Sequence, residues 1–507
     1  MNIKQAKQEI TNTLKAYLAK DQLGNYLIPT VRQRPVLLMG PPGVGKTQIM
    51  EQIAAETGVG LVAYTITHHT RQSAIGLPFI EKRTYGGEEV SVTEYTMSEI
   101  LSSVYRLMER TGLQEGILFL DEINCVSETL APMMLQFLQC KTFGNQALPE
   151  GWLIVAAGNP PEYNKSVRDF DVVTLDRVKR IDVEEDYGVW KEYARRKNLH
   201  GAILSYLDIK KDNFYRIENT ADGLQFATAR GWEDLSELLY AYETLGIRAD
   251  REVVGQYIQM PRIAKDFANY LEMFYKYQKT YHVEGILSGT WENITVLELR
   301  EAPFDEKLSV MGLVLSRLSE EARNTRRQDA LTDALHTSLT EFREKIADAP
   351  PLTVLDQLLW KRRTAMKQAK EAGQLDKESR DLKQREINVL EDYRQRLDRE
   401  AVAPEGAMDA VRGWFGEEVE RRKAVAMETK DMFDNAFRFL ETTFSDSQEL
   451  VIFVTEITAG YDTSWFVEQF GCDAYFRHNR ELLFDSTRHR IREEIAAAKA
   501  AEQEENT

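Results

Sequence analysis

Short apolar runs alternate with helix-period patterns along the first third of the chain. Four of these runs, at 36–39, 61–66, 117–120 and 152–157, show little polar alternation, which is typical of strands buried on both faces of a parallel sheet. The stretches between them place apolar residues three and four positions apart, as amphipathic helices do. The pattern therefore predicts an α/β domain, a parallel sheet flanked by helices, over residues 1–185.

The pattern from about residue 185 onward is mainly helical. It predicts an all-α segment over 186–290 and a mainly helical C-terminal region over 291–507, with a charged helical hairpin near 352–400. Proline-containing breaks, Ala349-Pro350-Pro351 and Pro404-Glu405-Gly406, bound that hairpin. Residues 449–454 fit either a short strand or the start of a buried helix. No chemistry is legible in this C-terminal region, and we expect it to specify a partner.

A glycine-rich loop joins the first predicted strand to a helix, and it is the strongest chemical signal in the chain. Its residues are Gly40, Pro41, Pro42, Gly43, Val44, Gly45, Lys46 and Thr47, followed by Gln48. Strand, glycine loop and helix form the context that makes G-x-x-x-x-G-K-[ST] a phosphate-binding P-loop and not a chance turn. We expect Lys46 to reach the β- and γ-phosphates of a bound nucleotide and the Thr47 hydroxyl to bind Mg²⁺.

Two carboxylates follow the apolar run at 117–120. Open α/β sheets bind their ligands at the carboxyl ends of the strands, where Asp121 and Glu122 would lie. Asp121 is predicted to hold the Mg²⁺ shell, and Glu122 to polarise an attacking water. An acidic helix cap is the alternative interpretation of an isolated Asp-Glu pair, but the upstream P-loop favours the catalytic one.

An amide closes the next apolar run. Asn159 would lie beside Glu122 if the two strands are neighbours, and there it could orient water without adding charge. Taken alone, it could equally begin an Asn159-Pro160 turn. The residues by themselves leave these two interpretations open.

The order of these motifs resembles the AAA+ superfamily and, within it, the MoxR-like ATPases. The resemblance covers about residues 1–290 and includes the P-loop, Asp121-Glu122, Gly158-Asn159-Pro160, and possible hairpins near 76–94 and 139–152. It implies an αβα nucleotide-binding domain over 1–185 and a helical lid over 186–290. Bound ATP and Mg²⁺ are the implied ligands.

Two arginines acquire roles through this resemblance alone. Arg177, in Leu175-Asp176-Arg177-Val178, resembles the arginine finger that reaches a neighbouring subunit's γ-phosphate, with Arg168 as the alternative. Arg230, in Ala227-Thr228-Ala229-Arg230-Gly231, resembles the sensor-2 arginine of the lid. Val178 and Ala229 stand where the family often has phenylalanine and proline, which leaves the choice of arginine open.

The resemblance also implies an assembly and a task. MoxR-like ATPases form rings, commonly hexamers, and remodel or activate partner proteins, which suggests a partner with a von Willebrand factor A (VWA) domain. A nucleotide-gated scaffold with little turnover and a nucleic-acid motor are the alternatives. The net charge of -17 and the pI near 5.1 argue against nucleic acid and anionic membranes.

Composition adds few further limits. A chain of 507 residues is long enough for several domains. Its three cysteines lie far apart and in no metal-ligand spacing, which favours free buried thiols in a reducing cytoplasm. The sequence shows neither a secretory leader nor an apolar run of membrane-spanning length, so we expect a cytoplasmic protein. Neither the preference for ATP over GTP nor the client is legible.

Overall fold

The computed structural model describes residues 1–68, 76–86, 88–143, 146–163, 170–220, 223–445 and 447–480. The chain divides into two compact units. The first joins Met1–Val189 to Lys345–Arg399, and the second joins Trp190–Glu344 to the described part of the chain from Glu400 onward. Among the described helices, none is both long and apolar enough to cross a membrane.

A five-stranded parallel sheet forms the centre of the first unit. Its strands occur in the order β2-β5-β8-β1-β9, and all neighbouring pairs are parallel. The bounds are Val36–Met39 for β1, Gly60–Thr65 for β2, Gly116–Asp121 for β5, Trp152–Gly158 for β8 and Lys179–Asp182 for β9. The predicted parallel sheet flanked by helices is therefore confirmed, and β9 adds an edge strand that the apolar pattern did not indicate.

Alternate residues of the central strands pack into two separate apolar cores, one on each face of the sheet. Val36, Leu38 and Phe119 pack on the side of helices α1 and α2. Leu37 and Leu118 pack on the opposite side. Both faces are covered, which explains why these strands read as continuous apolar runs and not as polar alternation.

Helices and small hairpins surround this sheet. The helices of the first unit's N-terminal part are α1 (Ile3–Leu18), α2 (Lys46–Thr57), α3 (Glu99–Thr111), α4 (Ala131–Cys140), α5 (Val172–Leu175) and the start of α6 (Tyr187–Arg196). Two antiparallel hairpins occur where the sequence suggested them: β3 (Pro78–Tyr85) with β4 (Glu88–Tyr95), and β6 (Thr142–Phe143) with β7 (Gln146–Ala147). Residues 87, 144 and 145, at their turns, lie outside the described residues.

The charged helical hairpin lies in the same compact unit as the parallel sheet. It consists of α14 (Pro351–Glu371) and α15 (Lys377–Arg399), close to the predicted 352–400. Near its turn, Arg110 Nη2 of α3 donates to the Glu371 carbonyl at 2.8 Å, and Gln374 Nε2 donates to the Val59 carbonyl at 3.5 Å. Residues 261 and 315 positions apart thus meet beside β2. The periodicity of a charged helix predicts only which of its faces is buried, so the sequence did not reveal these contacts.

The second unit is mainly helical. Its elements before the proline break are the rest of α6, α7 (Gly201–Ile209), α8 (Ala229–Leu245), α9 (Arg251–Tyr257), α10 (Pro261–Thr280), α11 (Val283–Leu287), α12 (Asn293–Glu301) and α13 (Phe304–Lys345). It continues with α16 (Ala407–Phe444), α17 (Gln448–Ala459) and α18 (Tyr461–Phe470). A two-stranded hairpin, β10 (Arg216–Thr220) with β11 (Gly223–Ala227), interrupts the stretch expected to be all-helical. Residues 449–454, left open between strand and helix, are helical.

Two glycines make room for a buried tryptophan at the amino ends of three neighbouring strands. Gly60 pairs with Gly116, and Gly116 pairs with Trp152. The indole of Trp152 is 1% exposed and lies across both glycines. A Cβ added to Gly116 would stand 2.6 Å from the indole and 2.8 Å from the Gly60 carbonyl oxygen. Both neighbours belong to the rigid sheet, so neither can move away cheaply.

We expect Gly116→Ala to destabilise the protein. Forcing a methyl group against Trp152 and the Gly60 backbone is overpacking, which costs about 1–3 kcal/mol. The measurement is the midpoint of thermal unfolding followed by circular dichroism. Gly413→Ala is the control, because Gly413 lies in α16 with no atom within 4 Å of an added Cβ. An alanine there should leave the midpoint unchanged or raise it slightly. Equal midpoints for the two variants would contradict this account of the strand glycines.

Candidate functional site

The glycine-rich loop lies where β1 ends and α2 begins, at the carboxyl edge of the sheet. β1 ends at Met39 and α2 begins at Lys46. Gly45 precedes the helix with φ +92°, a left-handed conformation that favours glycine. Gly40 N–H donates to the Gly158 carbonyl at 3.3 Å, which ties the loop to the end of β8. The first turn of α2 presents the positive end of the helix dipole at this edge.

Lys46 is a buried ammonium that joins the loop to β8. It is 8% exposed. Its Nζ donates to the carbonyl oxygens of Gly40 and Pro41 at 2.7 and 2.8 Å, and to Asn159 Oδ1 at 2.8 Å. The lysine and the amide were predicted separately, 113 positions apart in the sequence, and the structure brings them into direct contact.

Thr47 and Asp121 form a second contact between the loop and the sheet. Thr47 Oγ1 donates to Asp121 Oδ2 at 3.0 Å. Asp121 Oδ1 accepts the backbone N–H of Glu122 at 2.9 Å, which fixes the orientation of the carboxylate. Hydroxyl and carboxylate oxygens are the hard donors that Mg²⁺ prefers, and a pair of them beside a P-loop fits a magnesium ion carried by nucleotide phosphates.

Glu122 adopts an unusual backbone conformation and has a partner that the sequence did not reveal. Its φ is +57°, in the left-handed region that non-glycine residues rarely occupy. Thr67 Oγ1, just beyond the end of β2, donates to Glu122 Oε2 at 2.8 Å. Because β2 is the neighbour of β5 in the sheet, a hydroxyl just past its end is within reach of this carboxylate. The role of Thr67 can be inferred only once the strand order is known, because that order places the end of β2 beside the end of β5.

A second missed residue, Asn124, holds the backbone of Asn159. Asn124 Nδ2 donates to the Asn159 carbonyl at 2.8 Å, and Asn159 N–H donates to Asn124 Oδ1 at 3.3 Å. Asn124 is 3% exposed. Its place two positions after Glu122, on the same turn, is the only hint in the sequence. β5 pairs with β8, so the condition under which the sequence places Asn159 beside Glu122 is met.

Arg177 lies in the same unit, but its described contacts are with neighbours in its own chain. It is exposed, and its Nη1 donates to Gln139 Oε1 of α4. Asp171, which caps α5 by accepting from Thr174 N–H at 2.8 Å, lies close enough to feel its charge. Hydrogen bonds from Thr174, and then the charge of Arg177, hold the pKa of the Asp171 carboxyl below its usual value. Arg168, the alternative finger, lies outside the described residues.

Arg230 belongs to the second unit. It is exposed in the first turn of α8, whose N-cap is Thr228 with its side chain accepting from Gly231 N–H at 3.3 Å. The predicted helix start is therefore present. Its suggested role toward the nucleotide remains a prediction.

The structure thus brings together residues from three separate stretches of the first unit. Lys46, Thr47, Asp121 and Asn159 are joined by direct hydrogen bonds, and Glu122 follows Asp121. The remaining loop residues that were predicted to bind nucleotide, namely Pro42, Gly43, Val44 and Gln48, lie between or next to these contacts in sequence. As expected, none of the three cysteines forms a disulfide with a described residue; the expected burial holds for Cys472, whereas Cys125 is half-buried and Cys140 is exposed.

Comparison with known proteins identifies the same part of the chain. Residues 35–178 match the family model described as "AAA domain (dynein-related subfamily)". No curated protein matches the chain.

The solved structures that this chain matches include the following two. One is described as a candidate ATPase from Cytophaga hutchinsonii, 17% identical, with 36% of this chain and 52% of that chain covered and a TM-score of 0.22. Another is a Lys-to-Arg variant of RuvB from Thermotoga maritima, 15% identical, with 51% and 69% covered and a TM-score of 0.28. This chain therefore spans about half the length of the first structure. Residues 35–178 are thus similar to an AAA domain, and the parallel sheet with a P-loop after β1 agrees with that fold.

Proposed function

We propose that this protein is a MoxR-like AAA+ ATPase that couples hydrolysis of Mg-ATP in a ring to the remodelling or activation of a partner protein. The observation that carries the proposal is the contact of Lys46 Nζ with Asn159 Oδ1, beside the contact of Thr47 with Asp121. These two hydrogen bonds join P-loop, acidic strand end and amide strand end around one point. A nucleoside triphosphate with its Mg²⁺ ion is the ligand that this set of groups fits.

The residues divide the work of binding between them. Backbone N–H groups of the loop and the first turn of α2 cradle phosphate oxygens, and the Lys46 ammonium neutralises their charge. Thr47 and Asp121 would hold the metal, directly or through its water. Mg²⁺ held there would supply positive charge that offsets the negative charge of the phosphates.

Glu122 and Asn159 are the groups that would act on water. A carboxylate at a strand end, held by one hydroxyl donor, is suited to accept a proton from an attacking water. The Asn159 amide can orient that water without a charge of its own. Because its oxygen also accepts from Lys46, it connects the position of the water to the position of the phosphates.

In a ring, Arg177 would act on the nucleotide bound by the neighbouring subunit and not on that of its own subunit. An arginine that acts on a neighbour's γ-phosphate needs a head-to-tail interface, which closes as a ring. Arg177 is exposed and close to Gln139, as a residue that projects from a subunit surface would be. Arg230, from the predicted lid, would act within its own subunit. We propose a hexamer and a VWA-domain partner from the resemblance to MoxR-like ATPases.

We expect Lys46→Ala to abolish ATP binding and Glu122→Gln to abolish turnover while leaving binding intact. The first change removes the cation that meets the phosphates, and the second removes only the base. Binding of a fluorescent ATP analogue and release of phosphate are the two measurements. Wild-type binding without release would favour the scaffold alternative. Release by Glu122→Gln at the parent rate would show that another group is the base.

Mixing two inactive variants tests whether Arg177 acts in trans. Arg177→Ala keeps its own Glu122, and Glu122→Gln keeps its Arg177, so a mixed ring contains some complete interfaces. For equal amounts and random assembly, about one quarter of interfaces regain both groups. We expect phosphate release to recover toward that fraction, while each variant alone stays inactive. Mixing Lys46→Ala with Lys46→Ala,Arg177→Ala is the control, because it restores no complete site. Absence of recovery would argue against Arg177 as a trans-acting finger.

A pull-down with Glu122→Gln under ATP tests the partner. A variant that binds ATP without hydrolysing it should accumulate the assembled, partner-bound state. We expect a VWA-domain protein to be enriched with Glu122→Gln and not with Lys46→Ala, as identified by mass spectrometry.

Addition of DNA or RNA to the ATPase assay should leave turnover unchanged, and a salt-sensitive stimulation would favour the nucleic-acid motor instead.

A further inference from the structure

The end of β8 carries its functional amide one residue beyond the sheet. β8 ends at Gly158, whose carbonyl still accepts the Gly40 N–H of the P-loop at 3.3 Å. Asn159 follows, and its backbone groups have passed the last ladder position of the sheet. Buried backbone groups need partners, so something must take the place of the missing strand neighbour.

The Asn124 side chain takes that place. Its amide meets both backbone groups of Asn159, donating to the carbonyl at 2.8 Å and accepting from the N–H at 3.3 Å. This is the exchange that one peptide group makes with another, carried out by a side chain. Because one contact needs the amide nitrogen and the other the amide oxygen, the orientation of Asn124 is fixed.

Two further contacts hold Asn124 in position. Ile123 N–H donates to the Ala157 carbonyl at 2.9 Å, so the turn after Glu122 is joined to β8 on both sides of Gly158. Gly158 itself leaves the room that Asn124 occupies, because an added Cβ would stand 2.6 Å from Asn124 Oδ1. The Asn124 side chain is 3% exposed, so little solvent competes for its hydrogen bonds.

We infer that Asn124 is a positioning residue for the proposed hydrolysis reaction: it sets the distance between the base Glu122, on its own turn, and the Asn159 amide. The inference rests on the proposed function. Asn124 lies two residues from Glu122 and binds the backbone of Asn159, whose side chain contacts Lys46. It touches neither phosphate-binding Lys46 nor the Thr47–Asp121 pair in the described contacts. Its loss should therefore slow turnover without weakening nucleotide binding.

The test compares Asn124→Ala and Asn124→Asp with Asn159→Ala and with the double variant Asn124→Ala,Asn159→Ala. Asn124→Asp has nearly the same shape and keeps the acceptor for Asn159 N–H, but it can no longer donate to the Asn159 carbonyl. We expect kcat to fall about tenfold or more for both Asn124 variants and on the order of 100-fold for Asn159→Ala. Affinity for a non-hydrolysable ATP analogue should stay within about twofold of the wild type.

The double variant separates positioning from general damage. If Asn124 acts through Asn159, removing both should lower kcat no further than Asn159→Ala alone, because residues that act as a unit are not additive. Losses that multiply would overturn the inference, since Asn124 would then act independently.

Gln33→Ala is the matched control. Gln33 is also a buried side-chain amide of the first unit, 4% exposed, and its Nε2 donates to the carbonyl oxygens of Tyr17 and Ile28 at 3.0 and 2.9 Å. It lies before β1, at the end of that strand away from the P-loop. We expect Gln33→Ala to lower the thermal midpoint at least as much as Asn124→Ala while keeping its kcat near the wild-type value.

Each remaining outcome has one meaning. An Asn124→Ala enzyme with the parent kcat, or one whose kcat falls only as far as that of Gln33→Ala, overturns the positioning role and leaves the proposed ATPase in place. A wild-type protein that binds ATP without releasing phosphate overturns the proposed function, and the inference with it. Both are distinguished in the same phosphate-release assay.

Discussion

The register of three parallel strands is the constraint on which the site depends. Met39 at the end of β1 stands opposite Gly158 at the end of β8, and Leu120 near the end of β5 stands opposite Ala156. The P-loop follows Met39, Asp121 follows Leu120 and Asn159 follows Gly158, so all three reach the same edge of the sheet. A parallel sheet has no short turn that could enforce this alignment, and it is instead set by the packing of alternate residues into two cores. A shift of one position would exchange the faces of a strand and move its functional residue out of reach.

Close backbone approach is what this alignment requires, and glycine supplies it at a few places. Gly116 lets Trp152 cross the amino ends of the strands, and Gly158 lets Asn124 enter at the carboxyl ends. One end of the sheet is thereby closed by an apolar indole and the other by an amide that makes two hydrogen bonds. The two ends of the sheet therefore have different roles. Packing at the amino ends stabilises the sheet, and polar contacts at the carboxyl ends orient groups for a ligand.

The sequence could predict those features that depend on residues close together in the chain. The P-loop, Asp121 and Asn159 stood out because each combines a strand pattern with a polar residue at its end. Thr67, Asn124 and Gln139 did not, since their importance comes from partners on other strands and helices, and partner choice depends on strand order. The helices at 351–371 and 377–399 were readable from their period, but their contact with Val59 and Arg110 was not. The hairpin of β10 and β11 escaped because its short strands interrupt a mainly helical stretch.

The exposed hairpin of β3 and β4 is attached to the strand that carries Asn159. Gln146 of β7 accepts from Ser98 N–H with its Oε1 and donates to the Tyr95 carbonyl with its Nε2, both at 3.2 Å, and so grips the chain where β4 leads into α3. β7 leads directly into β8, whose far end bears the amide that contacts Lys46. The β3–β4 hairpin is exposed along both strands. It is nevertheless joined, through the Gln146 side chain and then strand β8, to the edge of the sheet that fits a nucleotide. Close-packed interiors have low compressibility and transmit strain, so this attachment couples the hairpin's base to β8 more directly than its exposure alone suggests.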